Sequence, residues 1–480
     1  NRGKVMKKTI SILLAALGFS ACNYLEIEPV GKVIPHKLSE FRALITDGYY
    51  NYGLNNIRLY AGLLSDEVGT FDTSEFYDTG YAVSLPYNYT WQYNSQMQEL
   101  AYRECYRSIF YANSLIDSVP EADNDSSGET KEQLLGEAYA IRAYVHFELV
   151  NIYGKPYDPA TAATDRGIVL STYTDIEQKY RPTNVAAVYK QILDDIEQAE
   201  KLLTVENYLT LETSERAKLN YRFTLDAVQA FKARVLLHMR DWQGAYDTAT
   251  GLLTKYKLVD FNNLSVTEST GKGDNYDTAL PWKPTSEETI LAWERPFSGG
   301  GGDYMNACHL SDRLLGLFDI KEKQVSEKTV LYSEDLRYNY IKSRSSGFIA
   351  ARVSSDRTSL RIAEMYLIAA EAGSYLNGEL DNAKNYLLGL QKTRFTAVGY
   401  AAKETAVRAM TAEQLRTEVA DDRAREFPLE GHRWFDLRRT AQPAITKTYD
   451  GQTYTLSQND SRYTLPFPQS AVNDNPELNN

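Results

Sequence analysis

Aromatic side chains gather in two stretches of the chain that are otherwise polar. Tyr77, Tyr81, Tyr87, Tyr89, Trp91 and Tyr93 fall within one short run, and Tyr276, Trp282, Trp293 and Tyr304 within another. An exposed ring face stacks on the C–H face of a sugar or on a peptide side chain, while neighbouring Asn, Asp and Arg supply directional hydrogen bonds. The chain holds 36 Tyr against 16 Phe and 5 Trp. That ratio suits a wet binding surface better than a dry core, because tyrosine joins an apolar face to a hydroxyl. Tyr77, Tyr81, Tyr87, Tyr89, Trp91, Tyr276, Trp282 and Tyr304 are therefore the expected ligand-contacting residues, with the other rings covering the helical core.

Covalent and metal chemistry have less support. The histidines His36, His146, His238, His309 and His432 are scattered, and none has the one-turn spacing of a zinc protease. Cys308 and His309 are adjacent, so in a strand or helix their side chains point apart, which argues against a nucleophile–base pair. The sequence has no Gly-x-Ser-x-Gly elbow. Asp123-Asn124-Asp125-Ser126-Ser127-Gly128 opens with the alternating oxygen donors of a calcium loop. Leu134, however, stands where the bidentate carboxylate belongs, and Lys131 takes another ligand position. It reads as a polar loop before a helix. The glycine run Gly299 to Gly302 lacks the Lys-Ser/Thr ending that holds phosphates. No catalytic residue, metal or cofactor is expected. The densest charged segment, Asp422 to Glu426 and Glu430 to Arg439, alternates carboxylates and guanidiniums with Trp434 and Phe435. Charges interleaved with rings become buried and must pair, so this segment reads as a structural ion network.

Helical hairpins must position whatever binds. Val188, Tyr189, Ile192, Leu193, Ile196 and Ala199 recur at three- and four-residue steps and predict a helix from Val185 to Leu203. Thr130 with Gln133, and Thr411 with Gln414, have the spacing of capping boxes. The predicted helices Leu134–Tyr153, Leu225–Arg240 and Ser359–Asn377 carry the close alanine pairs Ala140/Ala143, Ala230/Ala233 and Ala369/Ala372. Small residues on one face let a partner helix approach closely. The partners are Val185–Leu203, Gln243–Tyr256 and Leu380–Arg394, and Thr411–Phe427 with His432–Arg439 makes a further pair, broken at Pro428. About four such hairpins resemble tetratricopeptide repeats, stacked so that each buries its face on the next. The fold class is mainly α. Residues 54–96 and 260–357 have little helical period and many turn residues, and are expected to form a loop-rich layer over the repeats within one domain.

The amino terminus reads as an export signal. Met6 precedes Lys7 and Lys8, an apolar run from Ile10 to Phe19, and Ser20-Ala21-Cys22. The run is shorter than the ~18 apolar residues a membrane helix needs. Phe19 to Cys22 resembles a lipobox, so residues 1–21 are expected to be removed and Cys22 to carry the lipid anchor. Cys105 and Cys308 then remain as free thiols. The net charge of -12 argues against nucleic-acid binding, which needs a basic face.

Several ordered motifs together resemble one family, the SusD/RagB nutrient-uptake lipoproteins of Bacteroidetes. They are Tyr24-Leu25-Glu26-Ile27-Glu28-Pro29, Leu64-Ser65-Asp66-Glu67, Tyr102 with Tyr106 and Asn113, and Glu137 to Ala143. Arg361 to Ala372, Glu430 to Arg438 and Leu465-Pro466-Phe467-Pro468 complete the set. The resemblance implies a SusD-like fold and a surface lipoprotein seated over a TonB-dependent, SusC-like outer-membrane barrel. Such a protein captures an oligosaccharide, or a peptide as in the RagB branch, without catalysis. The resemblance assigns no ligand residues, so the aromatic expectation above stands on the residues alone.

Overall fold

A computed structural model of the chain describes residues 35–50, 52–76, 79–93, 100–175, 180–267, 272–273, 279–296, 304–344, 347–352 and 356–479. The helices of the first half are α1 (Leu38–Tyr49), α2 (Tyr52–Leu64), α3 (Thr79–Tyr89), α4 (Leu100–Ser118), α5 (Lys131–Tyr153), α6 (Val185–Leu202), α7 (Thr213–Leu219), α8 (Leu225–Met239) and α9 (Trp242–Thr250). Those of the second are α10 (Tyr304–Ala307), α11 (Asp312–Gly316), α12 (Ile362–Gly373), α13 (Leu380–Lys392), α14 (Ala397–Ala409), α15 (Ala412–Glu426), α16 (Arg433–Arg439) and α17 (Gln469–Asp474). The described strands pair only two by two, as antiparallel hairpins or short bridging ladders such as Val68–Phe71 with Cys308–Leu310. The fold is mainly α.

The expected hairpins are present. α5 packs on α6, α8 on α9 and α12 on α13, and the pairs stack through α6 on α8 and α9 on α12. The alanine pairs lie at the closest approaches, with Ala140, Ala143, Ala230, Ala233, Ala369 and Ala372 all fully buried. At Gly373 a Cβ would sit 2.9 Å from the Tyr246 ring and 3.1 Å from Ala383, so the contact of α12 with α9 and α13 leaves no room for a side chain. The last pair differs. α15 packs on α12, and it meets α16 chiefly through ions, after a joint at Phe427–His432 in which Leu429 and Gly431 have left-handed φ of 61° and 81°. A Cβ on Gly431 would also lie 2.5 Å from Arg58 Cδ, so glycine is required there on both counts.

Two expectations need correction. Residues 54–96 are not irregular: α2 and α3 occupy most of the described part. α2 buries Leu54, Ile57, Leu59, Tyr60, Ala61, Leu63 and Leu64 around its whole circumference, so no amphipathic stripe marks it in the sequence. Thr130 caps α5 by accepting from the Gln133 N–H, but the Gln133 side chain does not return the bond. It donates to Glu137 and accepts from the Thr204 and Val205 N–H groups, because burial beside α6 offers it better partners. Thr411 and Gln414 form the full box. Residues 260–357 are, as expected, short strands and single turns among the described positions.

The charged segment is buried and paired. Glu426 accepts from Arg361 Nη1 at 2.7 Å, Arg394 Nη2 at 2.9 Å and Arg337 Nη1 at 3.0 Å. Arg361 reaches on to Glu430 at 2.9 Å, and Arg394 to Glu288 at 2.6 Å. Asp436 receives Arg423 at 2.7 Å and Arg439 at 2.9 Å, and Arg439 also grips Glu371 on α12. Burial alone would raise the Glu426 carboxyl, but Arg394 and Arg361 outweigh it and hold it well below the usual carboxylate range. Removing one member of a buried network strands the rest without compensation, which typically costs about 3–5 kcal/mol. Glu426→Ala is expected to lose that much stability in urea unfolding, whereas Lys190→Ala, which breaks an exposed pair with Asp194, changes it by less than about 1 kcal/mol.

Candidate functional site

α1 ends in Thr46, Tyr49 and Tyr50, and the turn into α2 brings Asn55 beside them. α1 is amphipathic, with Leu38, Phe41, Ile45 and Tyr49 buried at helical spacing, so the adjacent Tyr50 must face away from the core and is 62% exposed. Opposite lie Tyr221, just before α8, Trp293 and Arg295, just after the strand Thr289–Leu291, and Arg357. These residues line a cleft of about 250 Å³.

Rings form the floor. Tyr49 meets Tyr221 edge-on at 5.2 Å and Trp293 at 5.2 Å, and Trp293 continues to Tyr144 at 5.4 Å. Tyr49 and Trp293 are fixed by buried hydrogen bonds. The Tyr49 hydroxyl donates to Glu137 Oε2 at 2.9 Å and accepts the Phe223 N–H at 2.9 Å, and Trp293 Nε1 donates to the Tyr49 carbonyl at 2.6 Å. Glu137 is held in turn by Arg42, through two bonds of 2.8 Å. Beneath the floor, Arg58 joins Glu148 at 2.6 Å to Glu294 at 2.8 Å, and Tyr144 donates to Glu294 at 2.6 Å. Polar groups form the rim. Asn55 Oδ1 accepts the Arg295 N–H at 2.8 Å, and Arg357 Nη2 donates to the Ala217 carbonyl at 2.9 Å. Burial and the Arg295 guanidinium push Arg357 below its ordinary value, so the two cations share one neighbourhood. The cleft thus offers ring faces at its base and planar donors at its edge.

The expected aromatic residues whose side chains are described, Tyr87, Tyr89, Trp91 and Trp282, lie elsewhere. Tyr89 and Trp91 are 0% and 1% exposed and belong to the core, which corrects their assignment as ligand contacts. Trp91 Nε1 donates to the Leu64 carbonyl at 3.0 Å, and the two rings enclose the Lys447 ammonium at 4.6 Å and 4.7 Å. Burial in that enclosure holds the ammonium down to about 7. Trp282 is 3% exposed, with Arg352 stacked 3.3 Å above its face and Tyr340 edge-on at 5.5 Å, so it too is a packing residue. These rings are buried because guanidinium and ammonium groups occupy their faces. Tyr87 is half-buried on α3. Tyr77 and Tyr276 lie outside the described residues, as do Cys22, the leader 1–21, the glycine run 299–302 and the side chains of Tyr81 and Tyr304. Among the described residues of the two aromatic clusters, only Trp293 lines the cleft.

Tyr50, Asn55, Tyr221, Arg295 and Arg357 escaped sequence reasoning. A signal was present in Tyr49-Tyr50, adjacent rings at the end of an amphipathic helix, of which only one can face the core. Cys105 and Cys308 are buried and are not joined in a disulfide. Among the described residues no group of His, Cys, Asp or Glu could hold a metal ion, and no helix is long and apolar enough to cross a membrane.

Residues 23–237 match a family model described as starch-binding associating with outer membrane, and residues 340–480 match that of the SusD family. The chain belongs to the SusD family. It is 22% identical to the SusD-like protein P25 of Formosa agariphila over 549 residues, covering 99% of this chain and 98% of that protein. A second SusD-like protein of that organism, P38, is 29% identical over 163 residues, which span 33% of this chain and 27% of that protein. In fold the chain is similar to a SusD superfamily protein from Bacteroides thetaiotaomicron, with a TM-score of 0.71 and 19% identity over 92% of this chain and 99% of that one. It is also similar to a laminarin-binding SusD-like protein, with a TM-score of 0.56 and 17% identity over 90% and 97% of the two chains.

The floor of the cleft rests on the Tyr49 hydroxyl. Tyr49→Phe leaves Glu137 and the Phe223 N–H each short of a buried partner, and is expected to cost about 1–3 kcal/mol in urea unfolding while the ring stays in place.

Proposed function

We propose that this SusD-family chain captures a glycan at the cell surface and passes it to a TonB-dependent, SusC-like outer-membrane barrel, without acting on it chemically. The cleft between α1 and Arg357 is where it binds. The observation that carries this reading is the composition of that cleft. Tyr50 is an exposed ring beside a floor built from Tyr49, Tyr221 and Trp293, and Asn55, Arg295 and Arg357 are planar hydrogen-bonding groups at the rim. A pyranose has the matching surfaces, C–H groups on its faces and hydroxyls around its edge. Support also comes from the family model described as starch-binding and from the laminarin-binding structure of similar fold.

The floor rings Tyr49 and Trp293 are set by buried hydrogen bonds before a ligand arrives, so they need little ordering on binding. The role of the protein is retention and transfer. A lipid on Cys22 keeps the cleft at the membrane, because acyl chains anchor through their buried methylenes.

Titration of the purified protein with soluble starch, laminarin and polygalacturonate is expected to show binding to at least one of them. Tyr50→Ala with Tyr221→Ala lowers that affinity by roughly tenfold or more, since an aromatic contact is worth about 0.5–1.5 kcal/mol beyond its buried area. Tyr50→Ala alone changes the unfolding midpoint little, Tyr50 being exposed. Silence of the wild-type protein toward all three glycans overturns this reading. Cys22→Ala in cells is expected to move the protein from the membrane fraction to the soluble fraction, and retention of the variant in the membrane overturns the anchor assignment.

A further inference from the structure

Arginines in this protein are as a rule paired. Arg42, Arg58, Arg142, Arg234, Arg337, Arg361, Arg394, Arg423, Arg425, Arg433 and Arg439 each hold a carboxylate within 3.0 Å. Arg166, Arg216, Arg416 and Arg438 instead donate to backbone carbonyls, and two more arginines outside the ion pairs, Arg295 and Arg357, line the cleft. Arg295 and Arg357 form no ion pair with any described residue, and no Asp or Glu is among the residues lining the cleft around them.

The sequence on either side shows how this arises. Each of the two arginines directly follows an acid, in Glu294-Arg295 and Asp356-Arg357. Both acids turn inward. Glu294 is 1% exposed and is taken by Arg58 and Tyr144, while Asp356 is 1% exposed and receives Lys283 Nζ at 2.7 Å. The carboxylate that would neutralise each guanidinium locally is thus consumed by the core, and the two cations are left lining one cleft. Repulsion between them adds to burial in depressing Arg357. A like-charge pair half out of water is unfavourable unless an anion sits between the two groups. In a chain of net charge -12, such a pair is a local reversal of the overall field.

We propose that Arg295 and Arg357 form an anion subsite in the cleft, so that the captured glycan is an acidic one, bearing a carboxylate or sulfate group beside a ring stacked on Tyr50. The two guanidiniums bind the anionic group through charge-assisted hydrogen bonds, and the rings bind the adjoining sugar face. This specificity rests on the cleft being the glycan site.

The test is isothermal titration of the purified protein with four probes. Tetragalacturonate carries carboxylates, a chondroitin sulfate tetrasaccharide carries sulfate as well, and maltotetraose and laminaritetraose are neutral. The expected result is binding of at least one acidic probe at least roughly tenfold tighter than either neutral one, weakening as ionic strength rises. The relative affinities of the two acidic probes identify the preferred anion. Arg295→Gln with Arg357→Gln abolishes that preference and its salt dependence, and Arg295→Lys with Arg357→Lys restores part of both. Equal or tighter binding of a neutral probe, or an acidic preference that survives the double Gln variant, overturns the subsite and leaves the glycan reading intact. Binding of none of the four overturns the acidic subsite, and starch, laminarin and polygalacturonate then decide separately whether the cleft binds glycans at all. Binding of an acidic peptide in place of every sugar overturns both.

Discussion

A set of buried guanidinium–carboxylate pairs holds this molecule together. Arg58 of α2 ties Glu148 of α5 to Glu294 in the loop-rich region, and Arg234 of α8 ties into Glu364 of α12. Glu426 of α15 gathers Arg337, Arg361 and Arg394. Each pair is buried, so neither partner can be satisfied by water, and each joins elements far apart in sequence. Apolar packing would tolerate small slips between the hairpins. A bidentate ion pair in a dry interior does not, since misplacement leaves a charge unpaired. The network thereby fixes the register of the helical stack against the irregular region laid over it.

The cleft beside α1 is a consequence of that fixing. Glu294 and Asp356 are drawn into the network, and the chain direction then leaves Arg295 and Arg357 at the surface. Tyr49 is pinned by Glu137, itself held by Arg42, and its ring supports Tyr221 and Trp293. The order of the ring floor is therefore inherited from ion pairs below it. The same economy explains why Tyr89, Trp91 and Trp282 are absent from the surface. Buried cations need ring faces as well as carboxylates, and Lys447 and Arg352 take those three rings.

Aromatic clustering in sequence was a poor guide to the site for this reason. A tyrosine serves equally as a core ring, a cap on a buried cation or a sugar platform, and these differ only in what lies over its face. The charged segment from Asp422 to Arg439 was legible, because alternating charges and large rings admit few arrangements other than mutual burial. α2 was not, because a helix buried on all sides carries no periodic stripe.

The amino-acid sequence by itself determined the helical hairpins, their alanine contact faces, the break at Pro428 and the family. These rest on local periodicity and on short motifs whose residues act within a turn or two of one another. Tertiary structure alone decided which tyrosines face outward and which two arginines line the cleft. Tyr50, Tyr221, Arg295 and Arg357 converge from four separate parts of the chain. Their approach depends on which carboxylates the core withdraws, and that is a property of the three-dimensional ion network rather than of any one segment.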